Sequence, residues 1–174
     1  MRLNESCRDW VLLNDLVIPN GRAETQIDHV LIGDKEVYCI ETKDITGKFY
    51  PHRNGWLWYP YHARGTVRKK TVVKNPQHQS IYHADHLRGF LDRNGFQIPV
   101  KPVVILTHPH GEWKGKQDQH CPVLRINGFL QSVNKVPDGE IRDHEKQELT
   151  ELLLDADERH GASFYAKFGS DGAQ

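Results

Sequence analysis

The chain has 174 residues, enough for one domain with a proper core. Its 23 basic and 23 acidic residues cancel, so overall charge argues neither for nor against nucleic acid, and any binding face must be local. Apolar runs of only a few residues exclude a transmembrane helix, and the first residues carry no apolar signal-peptide core. Three scattered cysteines (Cys7, Cys39, Cys121) argue against a disulfide framework and for a reducing cytoplasm, with Cys39 read as core.

The first predicted element is the strand Trp10–Val17, stopped by the turn signal Pro19-Asn20-Gly21. Two apolar runs follow, GRAETQIDHVLI (21–32) and EVYCIETKD (36–44), joined by a Gly33-Asp34-Lys35 turn. They read as a strand pair. Residues 48–61 carry alternating aromatics (Phe49, Trp56, Trp58, Tyr61) around Asn54-Gly55 and read as a β-hairpin. The clearest helix covers 76–94, with Asn75 as N-cap, Pro76 in the first turn and Gly95 at the stop. Its apolar face is Ile81, Ala84, Leu87 and Leu91. Residues 100–107 form a buried strand and 123–126 a short one, which leads into a brief helix near 128–134. A second amphipathic helix is expected over 138–160, ended by Gly161. The expected organisation is a single α/β domain over 1–168, a mixed central sheet flanked by helices, with a frayed tail at 169–174.

The chemistry concentrates in the strand pair. Side chains alternate faces along a strand, so Glu41 and Lys43 point the same way, roughly 6.6 Å apart. Asp28 on the preceding strand brings a second carboxylate to the same spot. Carboxylate oxygens with open water positions suit Mg²⁺ or Mn²⁺, which would polarise a phosphoryl oxygen and lower the pKa of a bound water. The lysine would orient that water or stabilise charge developing on phosphorus. Spacing alone leaves a second reading open, a strand-end Glu–Lys pair at a solvated edge. Acid-x-Lys recurs at Glu112-Trp-Lys114, in a polar Gly-rich stretch without strand character, and is discounted there.

Several further patterns were weighed against plainer readings. The stretch RGTVRKKTVVK (64–74) holds five basic residues and no acid, namely Arg64, Arg68, Lys69, Lys70 and Lys74. It is either a solvated loop or a source of sequence-independent phosphate contacts beside the site. Trp56, Trp58 and Tyr59 either stack on bases of single-stranded nucleic acid or pack the hairpin onto the domain. Gln79, in the first turn of the 76–94 helix, could hydrogen-bond a phosphate oxygen or a metal-bound water. The eleven histidines include His83-x-x-His86 and His108-Pro-His110 with His120-Cys121, neither at a familiar zinc spacing. His29 points to the face opposite Asp28 and reads as structural. Phosphate-loop, dinucleotide and serine-hydrolase motifs are missing.

Gln26-Ile27-Asp28-His29, Ile40-Glu41-Thr42-Lys43, Gly47, Trp56, Trp58 and Asn75-Pro76-Gln77-His78-Gln79 occur in order. In combination they resemble the signature of the nuclease-related domain (NERD) family of the PD-(D/E)xK nuclease superfamily, over roughly residues 12–106. The resemblance implies a restriction-endonuclease-like core and a DNA nuclease. It implies Asp28 and Glu41 as metal ligands, the Thr42 carbonyl as an extra one, Lys43 as catalytic base partner and Gln79 lining the site. The family also places a Gly-Glu helix well ahead of the first strand, and Glu5 stands too close to that strand to match it. Two functions are therefore expected as alternatives: a Mg²⁺- or Mn²⁺-dependent nuclease processing DNA, single-stranded or branched forms included, or a nuclease-fold nucleic-acid-binding module with weak or lost catalysis. Glu24 and Asp44 are the nearest candidates for a third acid. A shortened or fragmentary chain, or a homodimer or partner chain supplying the helix, would account for the difference.

Overall fold

The computed structural model of the protein describes residues 10–21, 23–61, 70–134 and 141–168. The strands are β1 (Val11–Asn20), β2 (Ala23–Ile32), β3 (Val37–Lys43), β4 (Gly47–His52), β5 (Gly55–Tyr59), β6 (Thr71–Val73), β7 (Val100–Leu106), β8 (Gly111–Trp113) and β9 (Val123–Arg125). The helices are α1 (Pro76–Arg93), α2 (Ile126–Val133) and α3 (Asp143–Phe168). No helix among the described residues is long and apolar enough to cross a membrane.

The central sheet has the order β1-β2-β3-β7-β9. Its first three strands run antiparallel, while β7 and β9 join in parallel, so the sheet is mixed as expected. Val30, Val37 and Cys39 turn to one face, where Ala84, Leu87 and Leu91 of α1 and Leu149 and Leu153 of α3 bury them. Leu31, Tyr38, Ile40, Val103 and Ile105 turn to the other face and meet Phe129 and Val133 of α2. Burying apolar atoms on both faces is worth about 25 cal/mol per Å², which is why β3 and β7 read as nearly continuous apolar runs.

A second sheet, order β6-β5-β4-β8, grows from the ends of β3 and β7. Both chains cross over side by side: Thr107 N donates to Lys43 O (3.2 Å) and Gly47 N to His110 O (2.9 Å). Phe49 and Trp56 fill the seam against Val104, Leu106, Cys121 and Val123.

Four details depart from the sequence expectations. First, β1 runs on through Pro19 to Asn20, an edge strand where proline's missing donor costs nothing. Second, β6 lies where the sequence predicts a basic loop and β8 in a stretch without strand character, yet each is a three-residue strand held by a longer partner. Third, α3 does not stop at Gly161 but continues to Phe168, where Tyr165 Oη donates to Asp15 O (3.3 Å) and accepts from Gln26 Nε2 (3.4 Å). Fourth, the described part of that helix begins at Asp143, not 138. The expected tail at 169–174 lies outside the described residues.

Candidate active site

Alternation along β3 decides the placement of Glu41 and Lys43. Val37 and Cys39 face α1, so Glu41 follows them beneath the helix and is only 1% exposed. Lys43, one pleat on and 29% exposed, turns back so that Nζ donates to Glu41 Oε1. The β2–β3 ladder runs from Ile32↔Val37 to His29↔Ile40 and ends there. One further step in the same register sets Asp28 opposite Glu41, where the strands part. Asp28 Oδ2 uses the gap, accepting from Thr42 N (2.9 Å) and Thr42 Oγ1 (3.1 Å). Burial along β2 also shifts phase here, with Thr25 and Ile27 inward before the break and Val30 and Ile32 after it. The neighbouring strand breaks phase at Asp15, which adopts a left-handed φ of 52°. A kinked two-stranded ribbon thus delivers Asp28 to the site.

Helix α1 closes the site from above. Asn75 caps it through Oδ1, which accepts from Gln77 N (2.9 Å). Ser80, fully buried, donates toward Cys39 O (3.1 Å) and Val103 O (3.3 Å) and so seats the helix on β3 and β7. One turn later His83 brings Nδ1 to 3.9 Å from Glu41 Oε2. Sequence reading missed His83 as a site residue. Its spacing of four from Gln79 was the available signal, since that interval shares a helix face.

The electrostatics follow from burial. Burial pushes the Glu41 carboxyl above its ordinary range; the Lys43 hydrogen bond pulls it back, and the negative charge of Asp28 pushes it up again. Burial likewise lowers His83, against the pull of Asp28, so its imidazole is neutral at pH 7. Glu41 Oε2 alone, among the described residues, is a buried side-chain polar atom with no hydrogen-bond partner. A buried carboxylate oxygen of that kind is costly and calls for a cation or donor. No three His, Cys, Asp or Glu side chains gather into a metal cage among the described residues. Mg²⁺ does not require one, because it keeps several waters and takes one or two carboxylates. The donor set of Asp28 and Glu41 therefore fits a hard divalent ion.

The other sequence candidates separate clearly. Gln79 shares the His83 side of α1 but makes no side-chain hydrogen bond to another described residue. It lines an adjoining groove instead. Lys70 and Lys74 are exposed, whereas Arg64, Arg68 and Lys69 lie outside the described residues. Of the two readings of the hairpin aromatics, packing onto the domain is the one observed. Trp56 is fully buried, Trp58 stacks on Phe49 with Nε1 donating to Thr46 O (2.8 Å), and Tyr59 meets Tyr50 edge-on. Neither third-acid candidate arrives. Asp44 is exposed, and Glu24 lies four residues up β2, with Oε1 at 4.0 Å from His160. Glu112 and Lys114 form a surface pair at 2.5 Å on β8, away from the carboxylates of β2 and β3. His29 Nδ1 bonds Asn14 Oδ1 at 2.8 Å, the structural role expected. His86 packs on Tyr82, and Cys121 is buried beside Gln77, so neither histidine set assembles around a zinc position.

The family described as nuclease-related domain matches residues 1–107, which include β1 to β7 and α1 and so every element that carries the site. An uncharacterized protein of Bacillus anthracis is 25% identical over 170 residues, covering 91% of this chain and 76% of that protein. No solved structure matches. With the family match spanning more than half of the chain, the protein belongs to the nuclease-related domain family, within the general class of PD-(D/E)xK nucleases.

Proposed function

We propose that the protein is a divalent-metal-dependent nuclease that hydrolyses DNA phosphodiester bonds at Asp28, Glu41 and Lys43. The observation that supports this most is the buried, unpartnered Glu41 Oε2 beside Asp28 and under the lysine ammonium. Asp28 and Glu41 would hold Mg²⁺ or Mn²⁺, with the Thr42 carbonyl as a further oxygen. When bound, the ion supplies Lewis-acid polarisation of the phosphoryl group and a more acidic water. Lys43 holds a donor at the site and places positive charge where the pentavalent phosphorus gathers negative charge. Asp28, fixed by both Thr42 donors, keeps one oxygen aimed without side-chain motion. His83, neutral at pH 7, walls the Glu41 side and limits water access. The free buried thiols of Cys39 and Cys121 suit a reducing compartment such as the cytoplasm.

Labelled DNA titrated with Mn²⁺ tests the reading on the wild type, Lys43→Ala and Asp28→Asn. Cleavage is expected to require the ion and to fall about 10²–10³-fold in each variant. Equal cutting by wild type and Lys43→Ala would end the proposal. The lack of a third acid among the described residues favours one other reading, a nucleic-acid-binding module of the same fold. It predicts salt-sensitive binding that survives both substitutions, with no cleavage in any divalent ion.

A further inference from the structure

Beside the carboxylates lies a groove that the site chemistry does not use. It encloses about 570 Å³ and is lined by Arg53 and Asn54 of the β4–β5 turn, Lys74 just past β6, and Asn75, His78 and Gln79 at the start of α1. Its walls are cationic or neutral, with no carboxylate among them. Arg53 and Lys74 are exposed, and neither has an anionic partner among the described residues. Other cations near the site differ: Lys43 is paired with Glu41 and Lys114 with Glu112.

The groove is built into the fold. Trp56 pairs with Val73, and the same register carries Lys74 opposite Gly55, next to the turn holding Arg53. That approach needs glycine: a Cβ on Gly55 would meet Val73 O at 2.0 Å, and its φ of +146° is strained for other residues. The hairpin is then fastened to α1, since Trp56 Nε1 donates to Gln77 Oε1 (3.3 Å) and Gln77 Nε2 to Cys121 O (2.7 Å). Arg53 of the β4–β5 turn and Lys74 past β6 are thus brought beside the start of α1. Gln79 stands four residues before His83, about 6 Å along the helix, and His83 adjoins Glu41.

We propose that Arg53, Lys74, His78 and Gln79 seat the phosphate backbone of a nucleic-acid strand on the Gln79 side of the bond to be cut. The assignment rests on the nuclease reading of the neighbouring site and extends it to where the substrate lies. Phosphate contacts carry affinity and register without base identity, so the groove would position DNA independently of sequence.

The test is binding of a labelled 20-nucleotide DNA, single-stranded and duplex, in EDTA across a salt series. The proteins are the wild type, Arg53→Gln/Lys74→Gln, and Lys101→Gln on the α2 face as control. Each lost contact should lower the slope of log K against log salt by about 0.7 on single strands or 0.9 on duplex. The double variant should therefore lose about 1.4–1.8 in slope and roughly 10–50-fold in affinity at 0.1 M salt, with an unchanged melting temperature. The control should match the wild type. If the wild type binds and the double variant keeps its slope, the groove assignment is wrong while the nuclease reading stands. If the slope falls but the wild type cleaves in no divalent ion, the groove stands and the catalytic reading fails. If the wild type binds neither form, the groove assignment is wrong, and the Mn²⁺ cleavage assay alone decides the nuclease reading.

Discussion

Glu41 is an ionisable group in a place that burial penalises, and a bound cation, as proposed, would be the physical reason to keep it there. Its raised carboxyl pKa means that the folded state holds the proton more tightly than the unfolded chain. The stability tied to it is complete below the ordinary carboxylate range and is lost as pH rises through the folded value. At neutral pH, Glu41→Gln should therefore stabilise the metal-free protein by about 1 kcal/mol while abolishing cleavage. That corresponds to a rise of roughly 2–4 °C in melting temperature at pH 7.5. The gain should vanish at pH 4, where the wild-type carboxyl is itself protonated. Melts of both proteins in EDTA at the two pH values check it. The pair Glu41 and Lys43 was legible in the sequence because alternation alone puts them on one face. Asp28 was legible because the apolar pattern fixes the hairpin. His83 was not, because its place depends on how Ser80 seats α1 across two strands far apart in sequence.

At the scale of elements, the glycine that follows Lys43 shows why the sequence carries its small residues where it does. Gly47 opens β4 at a φ of +120°, and a Cβ there would meet Tyr59 O at 2.3 Å and Trp58 Nε1 at 2.9 Å. Both atoms belong to the paired hairpin strand, so neither can yield cheaply. Gly47→Ala should cost about 2–4 kcal/mol, seen as a lower urea midpoint. Gly128, inside α2 with nothing within 4 Å of its would-be Cβ, should behave in the opposite way. Gly128→Ala is expected to add up to about 1 kcal/mol in the same assay. The longer elements were readable from periodicity and caps. The three-residue strands β6 and β8 were not, because their conformation is imposed by β5 and β4 rather than by their own composition. Gly161 misled for the converse reason: the packing of Tyr165 carries α3 past a residue that would otherwise end it.

At the scale of the whole molecule, one contact between distant parts of the chain carries a charge. Lys146 of α3, only 5% exposed, donates to Asp34 Oδ1 in the β2–β3 turn at 2.5 Å, and Trp10 Nε1 donates to Oδ2 at 3.1 Å. Ile141 N adds a bond to Asp34 O (2.9 Å). Burial pushes the Asp34 carboxyl up, but the Lys146 and Trp10 hydrogen bonds and the lysine charge outweigh it and hold the group below its usual value. A lowered folded pKa contributes stability above the ordinary carboxylate range that is lost as pH falls through the folded value. Asp34→Asn should flatten that acid limb. It should also cost about 1–2 kcal/mol at pH 7, less than a fully buried pair, because Asp34 is partly exposed. Chemical denaturation at pH 3, 5 and 7 measures both effects.

The side-by-side crossover between the sheets bears on how the protein opens. Lys43 O and His110 O accept amide protons from Thr107 and Gly47, so the segments that leave the central sheet are clasped to each other rather than to solvent. In native-state hydrogen exchange, these two amides should exchange only with the slowest class, together with the core of β3 and β7. The active carboxylates would then belong to the last cooperative unit to open. On the proposed function, partial unfolding of the outer hairpin would free a DNA strand held at Arg53 before it disturbed Glu41 and Lys43.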